Sequence, residues 1–368
     1  MSQVIIRKAA YDNLAPIIPE IFETFPIDVR GKKVFIKANL VRHLSPSKAA
    51  TTHPALLRTI AEEVQRRGGT PWIGDNGIDV QDLYRVTEME KTCAPYMVNI
   101  SRGASLLEIG GFQVPISKTF LEADIFINVP KLKTHAIAGM TCCMKNLFGL
   151  IPGNSKARMH GLTGHAKRLT EFFVDLYRWK SPTLNIVDGI LAMEGDGPSS
   201  GDPREVGRII AGKDGIAVDA VCARLIGFAN PRDIKLIALA EKKGLVNFDL
   251  NRIQVDGPLE VIGNFVHPST YTAHLPGEKS RFAADMKKDY QAWNDLGGVN
   301  PACQEDLCTR CGDCLAACPS GAILLTPYPK IDPGKCVSCF CCVEACPEGA
   351  LMISMPEELK EKGRQMGM

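Results

Sequence analysis

Three runs within residues 34–75 decide how the fold is read: Val34-Phe35-Ile36-Lys37-Ala38, then Thr52-His53-Pro54 leading into Leu56, Leu57, Ile60 and Val64, then Pro71-Trp72-Ile73-Gly74-Asp75. The first run is short and apolar and follows the polar Arg30-Gly31-Lys32-Lys33, which predicts a buried strand. Pro54 suits the first turn of a helix, where its missing amide proton has no partner to lose. The four apolar residues after it recur at helical spacing, and Gly68-Gly69 stops the run. A strand, a helix and a second strand in succession predict a crossover unit and a parallel sheet.

The pattern recurs outward. Residues 123–129 and 184–188 read as strands, the second preceded by a helical pattern through Leu169, Phe172, Phe173 and Leu176. Residues 207–212 read as a strand, followed by helices over 216–226 and 231–243. Residues 1 to about 265 are therefore expected to form an α/β domain, a parallel or mixed sheet with flanking helices in one or two lobes. Residues 266–302 are polar, with Tyr271, Tyr290 and Trp293, and read as a linker; 303–355 form a cysteine module; 356–368 read as a charged, frayed helical tail.

The chain has 368 residues, a net charge of +2, 45% hydrophobic and 23% charged residues, which excludes disordered, collagen-like and coiled-coil classes. The near-zero charge argues against nucleic acid as a partner. The first residues hold Arg7 and Lys8 inside any apolar run, so no signal peptide is expected. No run approaches the ~18 apolar residues a membrane span needs, and the expectation is a cytoplasmic protein. In that compartment thiols stay reduced, and dense cysteines bind metal or carry redox chemistry.

Ten of the 14 cysteines lie between Cys303 and Cys346. Two runs share one spacing: Cys308-x2-Cys311-x2-Cys314-x3-Cys318-Pro319 and Cys336-x2-Cys339-x2-Cys342-x3-Cys346-Pro347. This is the bacterial two-cluster ferredoxin spacing, in which the fourth cysteine of each run serves the other cluster. One 4Fe–4S cluster would take Cys308, Cys311, Cys314 and Cys346; the other would take Cys336, Cys339, Cys342 and Cys318. The exchange ties the halves of a small module with little apolar core around its metal. Structural zinc is the competing reading, but zinc sites use Cys-x2-Cys pairs separated by long gaps. Cys303 and Cys341 fall outside the pattern and read as spectators. Such clusters carry single electrons at low potential; a purely structural or sensing role is the alternative.

Further motifs lie in the larger region. Residues 127–135 read Ile-Asn-Val-Pro-Lys-Leu-Lys-Thr-His, and 144–153 read Met-Lys-Asn-Leu-Phe-Gly-Leu-Ile-Pro-Gly. Val187-Asp188-Gly189-Ile190, Met193-Glu194-Gly195-Asp196-Gly197-Pro198 and Lys213-Asp214-Gly215-Ile216-Ala217-Val218-Asp219-Ala220 follow. With Thr51-Thr52-His53-Pro54 and Gly74-Asp75, this series resembles the family catalogued as domain of unknown function 362, over roughly residues 30–230. The resemblance implies a shared α/β fold, a shared pocket and a ferredoxin module as a frequent companion. It brings no established reaction.

Residues 131–168 hold seven Lys and Arg and no Asp or Glu, with His135, His160 and His165. Lys131, Lys133 and His135 follow the predicted strand 123–129, and ligands of open α/β sheets bind beyond strand carboxyl ends. Two ammonium groups and an imidazole there predict a site for a carboxylate or phosphate. Lys131, Lys145 and His135 are the candidate catalytic residues, His135 as proton donor. Lys133 and Asn146 are candidate substrate ligands. A solvated basic face, or a seat for the acidic cysteine module, are the plainer alternatives. Asp188, Glu194 and Asp196 stand near strand ends and turns, either pairing with the lysines across the pocket or holding Mg²⁺, although their spacing fits no named loop. Asp214 reads as a helix cap, and vicinal Cys142-Cys143 as a buried spacer. No Gly-x-Gly-x-x-Gly, Gly-x4-Gly-Lys-Ser/Thr or Gly-x-Ser-x-Gly is present in a context that supports a nucleotide or hydrolase site.

The leading expectation is an iron–sulfur oxidoreductase relaying electrons between an external carrier, ferredoxin or flavodoxin-like, and a small anionic substrate. The alternatives are a non-enzymatic electron carrier docking a redox partner, and an isomerase or ligase-like enzyme whose clusters sense redox state. The sequence leaves the oligomeric state open.

Overall fold

The crossover unit forms as the spacing requires. Lys33–Lys37 is strand β2, Pro54–Arg66 is a helix, and Thr70–Gly74 is β3, parallel to β2. His53 caps the helix, its Nδ1 accepting from the Ala55 amide at 3.2 Å, and Gly68 ends it with a φ of +84°. In this computed structural model the described residues are 2–40, 44–75, 80–135, 138–152, 159, 166–195, 197–198, 201–246, 249, 253–268, 300–316, 318, 321–336, 342, 346, 348 and 350–354. The tail 356–368, and all of the linker 266–302 except 266–268 and 300–302, lie outside them.

The remaining strands of the large region are β1 (Gln3–Lys8), β4 (Ala104–Ile109), β5 (Phe112–Ser117), β6 (Ile125–Asn128), β7 (Lys131–His135), β8 (Gly139–Thr141), β9 (Leu184–Glu194), β10 (Asp202–Gly212) and β11 (Gln254–Asp256). The main sheet runs β11-β1-β10-β9-β6-β2-β3, while β7 pairs with both β8 and β9. Strands β3, β2, β6 and β9 are mutually parallel, and β10 is antiparallel to both β9 and β1. The sheet is mixed, as the α/β reading allows. Strands β4 and β5 form a separate hairpin.

Two apolar clusters cover the sheet. One gathers Leu132, Phe172, Phe173, Val187 and the helix Gly215–Leu225. The other gathers Ile36, Leu56, Ile60, Ile127 and Ile186. Asp214 caps the helix Gly215–Leu225, accepting from the Ile216 and Ala217 amides, as the sequence suggested.

Strand β7 sets aside two of the alternatives the sequence left open. Lys131, Lys133 and His135 do not hang beyond a strand as a solvated or docking face. They form a strand of their own, every residue of which is buried. Strand β6 ends at Asn128, Val129-Pro130 shifts the chain, and β7 resumes parallel to β9, with Lys131 opposite Asp188 and Lys133 opposite Met193. Leu132 enters the apolar cluster, so the alternating Lys131, Lys133 and His135 share the opposite side.

The C-terminal region is built of short pieces. Strands β12 (Asn300–Cys303) and β15 (Leu351–Ser354) pair antiparallel, as do β13 (Ile323–Leu325) and β14 (Pro329–Ile331). One helical turn, Asp313–Ala316, carries Cys314.

Candidate functional site

In the C-terminal region, Cys308, Cys311, Cys314 and Cys346 line one cavity together with Arg310, Gly312 and Leu351. These are the four cysteines the crossed pattern assigns to one cluster, so this donor set fits a 4Fe–4S cube. Cys314 is buried, which pushes its thiol up to about 11 in the metal-free protein. A thiol held neutral by burial is released as thiolate only when metal binds. Cys346 accepts from the Ala350 amide and Cys318 from the Ala322 amide, each at 3.2 Å. The two fourth cysteines thus have matching N–H···S bonds, which tune cluster potential. Of the second set, Cys318, Cys336 and Cys342 are described, and Cys339 lies outside the described residues. Cys303, read as a spectator, sits beside Cys308; its thiol is pushed up to about 12 by burial and by that neighbour. Cys341 is not among the described residues.

The large region gathers charge at the carboxyl ends of β2, β3 and β6. Lys131 is fully buried, with Nζ 2.9 Å from Asp188 Oδ2 and 3.0 Å from the Tyr11 hydroxyl. Asp188 is equally buried; it also accepts from Tyr11 Oη at 3.0 Å and from the His53 amide at 2.8 Å. The Tyr11 ring stacks on His53, centroids 3.7 Å apart. Burial lowers the pKa of His53 and raises that of Tyr11. A second buried pair stands alongside: Lys37 Nζ is 2.6 Å from Asp75 Oδ1 and donates to the Ala38 carbonyl. Gly149 lies against this pair, where a Cβ would collide with both Asp75 and Lys37.

Lys133 differs. It is fully buried, and its Nζ donates to the Ala50 carbonyl at 2.6 Å rather than to a carboxylate. Burial and the neighbouring ammonium groups of Lys145 and Lys131 hold its amine well below the usual lysine range. Several buried polar atoms of the neighbouring elements have no partner among the described residues. Thr141 faces Lys133 in the β7–β8 register, Thr51 follows Ala50, and Asn39 follows Ala38. The Oγ1 atoms of Thr51 and Thr141 and the Oδ1 atoms of Asn39 and Asn146 are buried without a hydrogen-bond partner among the described residues. Native interiors seldom leave such atoms unpaired.

Asn146 is fixed by its amide, which donates to Asn128 Oδ1 at 2.8 Å and to the Ala38 carbonyl. Asn128 in turn donates to Asn185 Oδ1 at 3.0 Å. His135 is buried, and its Nδ1 accepts from the Ala138 amide at 3.3 Å, which puts the neutral ring's proton on Nε2. Lys145 lies over the Phe173 ring.

The predicted acidic counterpart does not assemble. Glu194 binds the Val266 amide and lies 3.8 Å from Arg204. It stands six residues beyond Asp188 on β9, roughly 20 Å at ~3.3 Å per residue, too far to share one cation. Asp188 is paired with Lys131, and Asp196 lies outside the described residues. The Mg²⁺ expectation therefore has no support. His160 and His165 also lie outside the described residues. Sequence reasoning missed Lys37, Asp75, Tyr11 and His53 as site residues. Lys37 and Asp75 each end an apolar run, and a charge at that position was the available signal.

Among the described residues no helix is long and apolar enough to cross a membrane. A thylakoid-associated protein of Synechocystis sp. is 36% identical over 224 residues, 58% of this chain and 69% of that protein. Among solved structures, the lactate racemase apoprotein of Thermoanaerobacterium thermosaccharolyticum aligns at 16% identity and a TM-score of 0.37, covering 58% of this chain and 55% of that one. A Thermotoga maritima protein aligns at 12% identity and a TM-score of 0.33, covering 64% and 60%. This chain spans little more than half the length of either solved protein, and both alignments are too loose to carry an argument. The profile of a 4Fe-4S dicluster domain matches residues 301–350. That of a domain of unknown function, DUF362, matches residues 34–224, and the chain belongs to the DUF362 family.

Proposed function

We propose that this protein is an oxidoreductase in which two 4Fe–4S clusters relay single electrons between an external carrier and a small anion held at Lys133. The observation that carries this reading is Lys133 itself: a buried amine bonded to a carbonyl instead of a carboxylate, with the Thr141 hydroxyl, buried and without a partner among the described residues, opposite it on β8. Lys131 and Lys37 already have carboxylates, so they are not the clamp. They set the local field. An incoming carboxylate or phosphate supplies the charge Lys133 lacks, and the Thr51 and Thr141 hydroxyls can donate to it, while the Asn39 and Asn146 Oδ1 atoms can only accept, from a hydroxyl of the ligand.

Cys308, Cys311, Cys314 and Cys346 would hold one cluster, and Cys336, Cys339, Cys342 and Cys318 the other; bound clusters supply one-electron transfer. A two-electron reduction of the anion takes two such transfers and two protons. His135, two positions along β7 from Lys133, can donate a hydrogen bond to the anion through Nε2–H; to act as acid it must first take a second proton from solvent at Nδ1, releasing the Ala138 amide, and it then returns to the neutral ring on giving one up.

A second reading, an electron carrier without its own substrate, draws on Leu307, Leu315 and Leu324. These are exposed in the iron–sulfur region, two of them next to cluster cysteines. The relative's thylakoid association suits a protein that docks on an electron-transfer partner. The two readings separate on one screen. Dithionite-reduced protein is mixed anaerobically with a panel of small carboxylates and phosphates, and the cluster absorbance is followed. Reoxidation by a member of the panel supports the enzyme. Exchange with ferredoxin or flavodoxin and with no member of the panel supports the carrier.

A further inference from the structure

Away from the lysines, the core holds a group of side chains that electron relay and anion binding leave without a task. The Sγ atoms of Cys142 and Cys143 and a carboxylate oxygen of Asp219 lie within 4.8 Å of one another, and all three residues are buried. The two sulfurs are 4.0 Å apart. Cys222, one turn beyond Asp219 on the helix Gly215–Leu225, is a third buried thiol close enough to Cys142 to perturb it, outside that tight group. Three donor atoms, two sulfur and one oxygen, thus converge in the dry interior from two separate elements, with a third thiol near them.

As packing, the arrangement is costly. Asp219 is 3% exposed. Among the described residues its hydrogen bonds come from the Cys143 and Met144 amides and the neighbouring thiol, and no lysine or arginine reaches it. A carboxylate in an apolar core without a cation is disfavoured. Three thiols beside it, each a weak hydrogen-bond donor, do little to offset that cost.

We infer that Cys142, Cys143, Cys222 and Asp219 form a closed site for one thiophilic divalent cation, Zn²⁺ by the chemistry of the donors. Thiolate-rich sets with one oxygen select zinc over magnesium or calcium. Two sulfurs at Zn–S distances of ~2.3 Å in a tetrahedron stand about 3.8 Å apart, close to the 4.0 Å between Cys142 and Cys143. Binding deprotonates the thiols and releases their protons to solvent, and the metal supplies the positive charge that Asp219 lacks.

The consequence reaches the anion site. Cys143 begins the short helix Cys143–Asn146, which carries Lys145 and Asn146, and the Asn128 amide donates to the Cys143 carbonyl at 3.1 Å. Zinc would pin that helix to the helix Gly215–Leu225 and so fix Lys145 and Asn146 relative to Lys133.

The test is elemental analysis of the full chain, isolated anaerobically from medium replete in iron and zinc. The expected result is one zinc per chain beside about eight iron atoms, the complement of two four-iron clusters. X-ray absorption at the zinc edge should show a sulfur shell near ~2.3 Å with one lighter ligand. Cys142→Ser and Cys222→Ala should each lower zinc at least tenfold with iron unchanged, while Cys93→Ser, at a buried cysteine elsewhere, should retain it. Zinc at trace level in iron-replete protein overturns the proposal. So does zinc that persists in both the Cys142 and Cys222 variants, which would place it on the ferredoxin cysteines. The absorption measurement needs no variant, so a substitution that fails to fold leaves the test intact.

Discussion

In the α/β region, large apolar clusters on both faces of the sheet enclose the fully buried Lys37, Lys131 and Lys133. In the iron–sulfur region, the described core is Cys314, Ile323, Cys342 and Leu351, with four partly buried residues against it, three of them cysteines. The first has apolar burial in excess and can hold charges that oppose folding. The second has almost no apolar burial and needs metal to hold it together. A misfit charge in the first therefore reads as function, whereas a buried thiol in the second reads as structure.

Removing the metal breaks this comparison most severely. Chelation of iron, or Cys314→Ser, should unfold the region around residues 301–350 and leave the α/β region intact. Hydrogen exchange should then show full loss of protection in β12 to β15 and unchanged protection in β2, β6 and β9. Coincident loss in both regions would show that the two do not fold separately.

The next effect tests the buried pair. Asp188→Asn leaves Lys131 buried without its partner, which should cost about 3–5 kcal/mol in denaturant unfolding. A loss below about 1 kcal/mol would mean that water reaches Lys131.

Lys133→Met should do the opposite. It removes a buried amine with no carboxylate, so stability should rise by on the order of 1 kcal/mol while anion affinity falls about tenfold to a hundredfold. The sign follows from the depressed pKa. The unfolded chain binds the Lys133 proton more tightly than the folded chain does, so wild-type stability rises with pH between the depressed folded value and the ordinary lysine value. The variant's advantage should accordingly be greatest at low pH and shrink as pH climbs through that window. A pH-independent difference would contradict the assignment.

The smallest effect is on binding. An anion stabilises the charged amine, so binding takes up a proton. Affinity should fall as pH rises above the depressed value of free Lys133, by at most about tenfold per unit. Calorimetry in buffers of different ionisation enthalpy would register that proton, and identical heats across buffers would rule it out.

Much of this was legible in the sequence, for physical reasons. Strands β2 and β3 and the helix between them were readable because apolar runs were bounded by glycine, proline and charge. The cluster cysteines were readable because the ligand spacing is local. That Lys131, Lys133 and His135 form a strand of their own was not legible, because Lys-x-Lys-x-His lacks the polarity of a buried strand, and only the tertiary register puts Lys131 opposite Asp188, 57 residues away. Strand β9 continues six residues past its predicted end, because pairing with β7 and β10 compensates for Gly189. The convergence of Cys142 and Cys143 with Asp219 belongs to the packing of two helices, and no spacing within one segment announces it.

In the function proposed above, electrons from the clusters reach an anion held by Lys133. Its most direct test compares anaerobic reoxidation of dithionite-reduced wild type and Lys133→Met by the same small carboxylates and phosphates. A member of the panel should reoxidise the wild-type clusters and act at least tenfold more slowly on the variant, with iron content equal in both. Equal rates in the two proteins, or no reoxidation of wild type by any member, would contradict it.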